Sequence, residues 1–167
     1  MIRARLAAAL VVTVLATASA FAEDESRVAE GVSMYDGGRF TEAAEVFAPA
    51  AAAGSTAAQY HLGLMHARGE GVPKDLATAA TWFERAASGG HNHAQFLVGH
   101  MYAKGDGVPR DRARAHMWFT AATANGWWKA REARERLVDD GMTPHEVAEA
   151  GKLYRAWQRA QRGTAEP

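Results

Sequence analysis

A block of 36 residues occurs twice in succession, and nothing else in the sequence limits the fold as tightly. Ala58-Gln-Tyr-His-Leu-Gly-Leu-Met65 recurs as Ala94-Gln-Phe-Leu-Val-Gly-His-Met101. Gly69-Glu-Gly-Val-Pro-Lys-Asp75 recurs as Gly105-Asp-Gly-Val-Pro-Arg-Asp111, and Trp82-Phe83 as Trp118-Phe119. Residues 56–91 and 92–127 share 16 identities with no gap, too many for coincidence. A period of this length marks a stack of supersecondary units. A degenerate copy precedes them at 26–55, where Ala43, Phe47, Ala50 and Gly54 stand 36 residues before Ala79, Phe83, Ala86 and Gly90. Met34 stands only 31 before Met65, which predicts a connecting loop five residues shorter in that copy.

Each unit reads as a pair of helices. Ala58, Leu62 and Met65 recur at spacings of four and three, one apolar stripe of a helix near 56–67. Gly63 interrupts that helix at a propensity cost of up to about 1 kcal/mol, so its recurrence predicts a close approach by a neighbouring helix. Gly-x-Gly-Val-Pro stops the helix, because Gly reaches positive φ and Pro73 disfavours helix at Val72. Asp75 is the predicted N-cap of a second helix near 76–88, with Ala79, Phe83 and Ala86 facing inward and Gly89-Gly90 at its end. A single hairpin of this kind cannot bury both faces. Stacking on neighbours must create the core, with the first helices lining a concave side.

The pattern A-x-Q-Y-x-L-G-x-M-x-x-x-G-x-G-V-P-x-D-x-x-x-A-x-x-W-F-x-x-A-A-x-x-G resembles the Sel1-like repeat, a relative of the tetratricopeptide repeat with a longer loop between its helices. The resemblance covers roughly 26–127. It implies an all-α fold, an α/α solenoid that binds other proteins or peptides. Exported bacterial members are adaptors in envelope assembly, exopolysaccharide production or control of sensor kinases. A cysteine-rich branch is associated with β-lactam binding and hydrolysis; this chain has no cysteine at all.

Beyond the repeats, Trp127 to Leu137 reads as a first helix whose partner has diverged. In Met142-Thr-Pro-His-Glu146, Thr143 is the expected N-cap, Pro144 suits the first helical position and Glu146 completes a capping box. The next helix places Val147, Ala150, Tyr154 and Trp157 on one stripe. Residues 128–162 are thus expected to form the C-terminal cap that a solenoid needs over its apolar end.

The N-terminus reads Met1-Ile-Arg-Ala-Arg, then an apolar run from Leu6 to Ala16, then Ala20-Phe21-Ala22: the order of a secretory signal peptide. Residues 1–22 are the expected leader and 23–167 the repeat domain. Cleavage after Ala20, or retention as an anchor, are the alternatives. The expected location is the periplasm of a bacterium, with no membrane span after cleavage. The leader carries Arg3 and Arg5 and no acid, so 19 − 2 = 17 Lys+Arg against 19 Asp+Glu leaves a mature charge of −2. That balance argues against nucleic acid as a partner, since phosphate affinity needs surplus Lys and Arg. The absent cysteines exclude a disulfide scaffold, a Cys nucleophile, a thiolate zinc site and an iron–sulfur cluster.

Catalytic signatures are scarce. There is no G-x-S-x-G, no G-x-x-x-x-G-K-[ST] and no H-E-x-x-H, because His145-Glu146 runs on into Val-Ala-Glu149. The two Gly-x-Gly loops carry a Pro and follow no strand, so they read as connectors rather than phosphate cradles. His61, His66, His91, His93 and His100 match no ligand motif, and neither metal nor cofactor is expected. Trp82, Phe83, Trp118 and Phe119 recur at equivalent helical positions and read as packing residues. The charges of Arg131, Glu132, Arg134, Glu135 and Arg136 read as a solvated helix face. By analogy with tetratricopeptide geometry, Tyr60, Leu64, Arg68, Phe96, His100 and Lys104 fall on the concave side and form the candidate groove for a protein or peptide partner. Packing of Tyr60 and Phe96 over the adjacent helix is the competing role. The expected function is a non-enzymatic envelope scaffold. The alternative is a hydrolase directed at cell wall or β-lactams, and oligomeric state is left open.

Overall fold

Ser55, Asp75, His91 and Asp111 each stand in extended backbone one residue ahead of a helix. Each side chain accepts a hydrogen bond from a first-turn N–H that has no partner within the helix. Gly69 and Gly105 close the first helices at φ +76° and +85°, a left-handed conformation that a residue with a Cβ rarely adopts. These local signals divide the chain into helices of nearly uniform length. The computed structural model describes residues 25–163, and the expected leader lies outside them. Among the described residues there are eight helices and no strand: α1 (25–36), α2 (Phe40–Ala52), α3 (Thr56–Arg68), α4 (Leu76–Ser88), α5 (Asn92–Lys104), α6 (Arg112–Ala124), α7 (Trp128–Asp139) and α8 (Pro144–Gly163).

Successive helices pack in a chain, α2 on α3, α3 on α4, α4 on α5 and α5 on α6, as an α/α solenoid requires. Ala58, Leu62 and Met65 are buried against Phe47 and Ala43 of α2 and Val28 of α1. Ala79, Phe83 and Ala86 join a second buried cluster that runs on through α5 and α6 to α8. The reason for the recurrent glycine is steric. A Cβ on Gly63 would lie 2.6 Å from the Phe83 ring, and one on Gly99 2.5 Å from Phe119. Gly31 faces Phe47 in the same way at 2.7 Å. Gly31, 32 residues before Gly63, is therefore its counterpart. The first loop (37–39) is four residues shorter than the later one (69–75), not five as the Met34 alignment predicts.

The connecting loops also join one repeat to the next. Gly71 and Gly107 have φ +71° and +73°, and a Cβ on Gly71 would meet the Phe40 carbonyl carbon at 2.5 Å. A Cβ on Gly107 would overlap the Leu76 carbonyl. Each loop thus seats its backbone on the start of the second helix of the preceding unit. The repeated glutamine supplies a second joint. Gln59 Nε2 donates to the Ala51 carbonyl at 3.0 Å and Gln95 Nε2 to the Ala87 carbonyl at 3.1 Å, across a buried boundary where an unpaired amide is costly. Asn125 Nδ2 donates back to Gln95 Oε1 at 3.0 Å.

At the C-terminal end the capping box forms. Thr143 N and Oγ1 donate to Glu146 Oε2 at 2.7 and 2.8 Å, and Glu146 N donates to Thr143 Oγ1 at 3.2 Å. α8 lies on α6, burying Ala150 and setting Trp157 edge-on to Trp118 at 6.0 Å. Gln161 reaches the Ser88 carbonyl at the end of α4. The predicted stripe needs one correction. Val147, in the first turn, stays exposed, and Leu153 packs with Tyr154 and Trp157 against the core.

Candidate functional site

Ring contacts run almost without a break along the side of the array formed by the first helices. Tyr35 at the end of α1 meets His61 of α3 at 5.5 Å, and His61 stacks on Phe47 at 4.9 Å. Tyr60 stacks on His91 at 4.3 Å and bonds His93 Nδ1 through its hydroxyl at 2.8 Å. His93 stacks on Trp127 at 4.8 Å, and Phe96 meets His100 edge-on at 4.5 Å. His91 Nδ1 accepts from the Ala94 N–H at 3.2 Å, which requires that nitrogen to be unprotonated.

Partial burial favours the neutral form of these imidazoles. It lowers the pKa of His61, His91, His93 and His100, because the charged form loses hydration. His93 and His61 depress His91 further, Lys129 does so for His93 and Lys104 for His100; Asp36 opposes the effect at His61. His61 Nδ1 is buried without a hydrogen-bond partner. Among the described residues no three His, Asp or Glu side chains are placed to hold a metal ion. No described helix is long and apolar enough to cross a membrane. The strip presents flat aromatic and imidazole rings packed on one another along the first helices.

The strip opens into a cavity of about 400 Å³ between α5 and α7. Phe96, His100, Phe119 and Leu137 form its floor. Trp128 stands at its edge, 71% exposed, with the Lys129 ammonium 5.6 Å from its ring centre. Lys104, Arg110, Arg112, Lys129 and Arg136 surround the floor together with Glu132 and Asp140.

The six residues expected to form one groove are distributed over three environments. Phe96, His100 and Lys104 line this cavity. Leu64 and Arg68 line a smaller neighbour of about 290 Å³, which shares His100. Arg68 also turns towards α1, donating to the Tyr35 hydroxyl at 2.7 Å and lying 3.7 Å from Glu70. Tyr60 lines neither, since His91 and His93 occupy its ring and hydroxyl. Glu132 and Arg136, read from sequence as part of a solvated face, are exposed as expected and also line the cavity. Trp128 and Lys129 lie one helix beyond the repeats and carry no repeat signal; the only sequence trace of them is an aromatic and a cation side by side.

The family model described as the Sel1 repeat matches residues 56–91 and 92–127. No curated protein matches the chain by sequence. Among solved structures it is similar to c5321, "a protective antigen present in uropathogenic Escherichia coli strains displaying an SLR fold". The TM-score is 0.73 at 31% identity, over 83% of this chain and 32% of that one. It is also similar to a Sel1 repeat protein from Oxalobacter formigenes, with TM-score 0.64 at 28% identity, over 68% of this chain and 47% of the other. The chain therefore spans about a third to a half of the length of these relatives. The chain thus carries two Sel1 repeats, joined in a stack of helix pairs.

Proposed function

We propose that the chain is an exported, periplasmic scaffold that holds a segment of a partner protein and performs no catalysis itself. Sel1 repeats generally mediate protein interactions, which is the coarse statement the repeats support. One observation carries the finer reading: an apolar-floored cavity lies between α5 and α7 beside a Trp that is 71% exposed. An exposed Trp flanked by cations is costly to leave in water and is the residue type that anchors interfaces. Export rests on the basic start, short apolar run and small-residue exit of residues 1–22.

The test uses the full chain in its native envelope with a photo-crosslinking residue at position 128. A discrete crosslinked partner, released with the periplasmic fraction and lost in a Phe96→Ala/Leu137→Ala variant that still folds, is the expected result. Fractionation with the cytoplasm would refute export. Capture of the same partners by the double variant would refute the cavity as the binding place.

A further inference from the structure

The charge around the α5–α7 cavity is far from that of the chain as a whole. Nineteen basic residues balance nineteen acidic ones overall, yet five cations and only two carboxylates surround this one floor. Three of the cations are held in place. Arg112 donates to the Gly141 and Asp140 carbonyls at 3.0 and 3.2 Å, Arg110 Nε to the Ala103 carbonyl at 3.1 Å, and Arg136 pairs with Glu132. The carbonyl bonds fix the Arg110 and Arg112 guanidiniums without cancelling their charge. Lys104 and Lys129 form no ion pair among the described residues, and both are exposed. Lys129 leans over Trp128, so cation and aromatic ring present themselves together.

We infer that this cavity takes an acidic peptide segment bearing one aromatic or branched apolar side chain, the apolar side chain on the floor and flanking Asp or Glu residues against Lys104, Lys129 and Arg110. The inference rests on the scaffold reading and narrows it to one partner chemistry. An apolar floor alone would accept any hydrophobic side chain. The surrounding cations reject a basic segment, because like charges brought together around a desolvated floor oppose binding and complementary ones favour it. The floor in turn rejects a purely acidic strand, since the half-buried Phe96, Ala103 and Ala133 would lose water without gaining an apolar contact. The half-buried His100 sharpens that choice: desolvation and the Lys104 ammonium lower its pKa and favour the neutral ring, so the positive charge sits on the edge.

The test is selection from a random heptapeptide phage library on the intact protein at low salt, then calorimetry with the synthetic consensus peptide. Enrichment of Asp and Glu around a single Phe, Trp, Leu or Ile is expected. Affinity for that peptide should fall about tenfold in Lys104→Glu/Lys129→Glu, and by a similar factor between low and high salt, as for a charge-complementary site. An Arg159→Glu variant, altered on the exposed side of α8, should bind unchanged. No enrichment, a consensus without acidic excess, or affinity indifferent to the lysine reversals overturns the inference. If envelope crosslinking through position 128 persists while the selection fails in one of these ways, the scaffold reading stands and the acidic occupant is refuted. Loss of the crosslinks refutes the scaffold itself.

Discussion

Replacing Gly63 by Ala sets two effects of known sign against each other. In an exposed helix, Gly→Ala stabilises by about 1 kcal/mol, because the unfolded chain loses conformational freedom. At position 63 the new methyl would stand 2.6 Å from Cδ1 and Cε1 of Phe83 and 3.0 Å from Cγ. Carbon atoms in contact prefer about 3.5–4.0 Å, so the ring must retreat by about 1 Å. Phe83 is only 2% exposed, and Tyr60 lies 6.0 Å away on the same side, so the ring has little room. Overpacking of this kind costs about 1–3 kcal/mol. Subtracting the propensity gain leaves a net loss of up to about 2 kcal/mol, or a melting point lower by about 2–4 °C per kcal/mol at this chain length. Gly151→Ala is the internal control. It lies within α8, and its methyl would meet only Arg155 Nη1 at 3.4 Å, so it should stabilise by about 0.4–1 kcal/mol. Thermal melts and urea titrations of both variants measure the difference. A smaller ring partner should relieve the strain, so Gly63→Ala and Phe83→Leu should show favourable coupling in a double-mutant cycle. If Gly63→Ala stabilises as much as Gly151→Ala, the steric account of the repeated glycine is wrong.

Acid should loosen the ring strip before it affects the caps. The folded pKa values of His61, His91, His93 and His100 lie below the unfolded value of about 6.5, so their contribution is complete above that pH and is lost as pH falls through the lower folded values. Urea midpoints should therefore drop as pH falls below about 6.5, and midpoints that stay flat through that fall would contradict the partial burial of the imidazoles. The acidic caps act lower: the depressed pKa values of Asp75 and Glu146 keep their contribution until pH falls below the ordinary carboxylate range. Gln95→Leu should cost about 1–3 kcal/mol in urea unfolding, since it removes the Ala87 and Asn125 partners from a fully buried site; a neutral result would make the glutamine joint dispensable. A chain ending at Gly141 should melt earlier and bind a hydrophobic dye more strongly, because Trp118 and its neighbours lose the cover of α8. An unchanged melt would remove the capping role of that helix.

The helix pairs were legible because their determinants are local. Asp75, the Gly-Val-Pro stop and the 36-residue period act within one turn or one loop, and Thr143 finds Glu146 three residues away. Contacts between units were legible only as recurrence. The sequence marks Gln59 and Gln95 as repeated, but a helix wheel does not say that the amide crosses to Ala51 or Ala87. Aligning Met34 with Met65 hides Gly31, whose match to Gly63 shows only in the contact that each makes with a Phe ring. The candidate groove was half legible for the same reason. Phe96, His100 and Lys104 share a helix face with His93 in the first turn of α5, which spacing reveals, whereas nothing in the spacing says that His93 and the N-cap His91 engage Tyr60 of the preceding unit. Most of all, the cavity needs α7, where the period has lapsed. Glu132 and Arg136 are four residues apart and form the ordinary surface pair that their spacing suggests. Only the position of α7 opposite α5 turns that pair into part of a wall.

The seating of Gly71 on Phe40 and of Gly107 on Leu76 has a consequence for how such a chain can grow. Main chain meets main chain at both seats, so the fit between neighbours does not depend on which side chains either unit carries. A freshly duplicated copy would find the same socket waiting on its predecessor and offer the same one to its successor, before any substitution had tuned the pair. Length can then change by whole units with the grip between units preserved, while the amino acids lining the exposed face are free to diverge towards a particular partner.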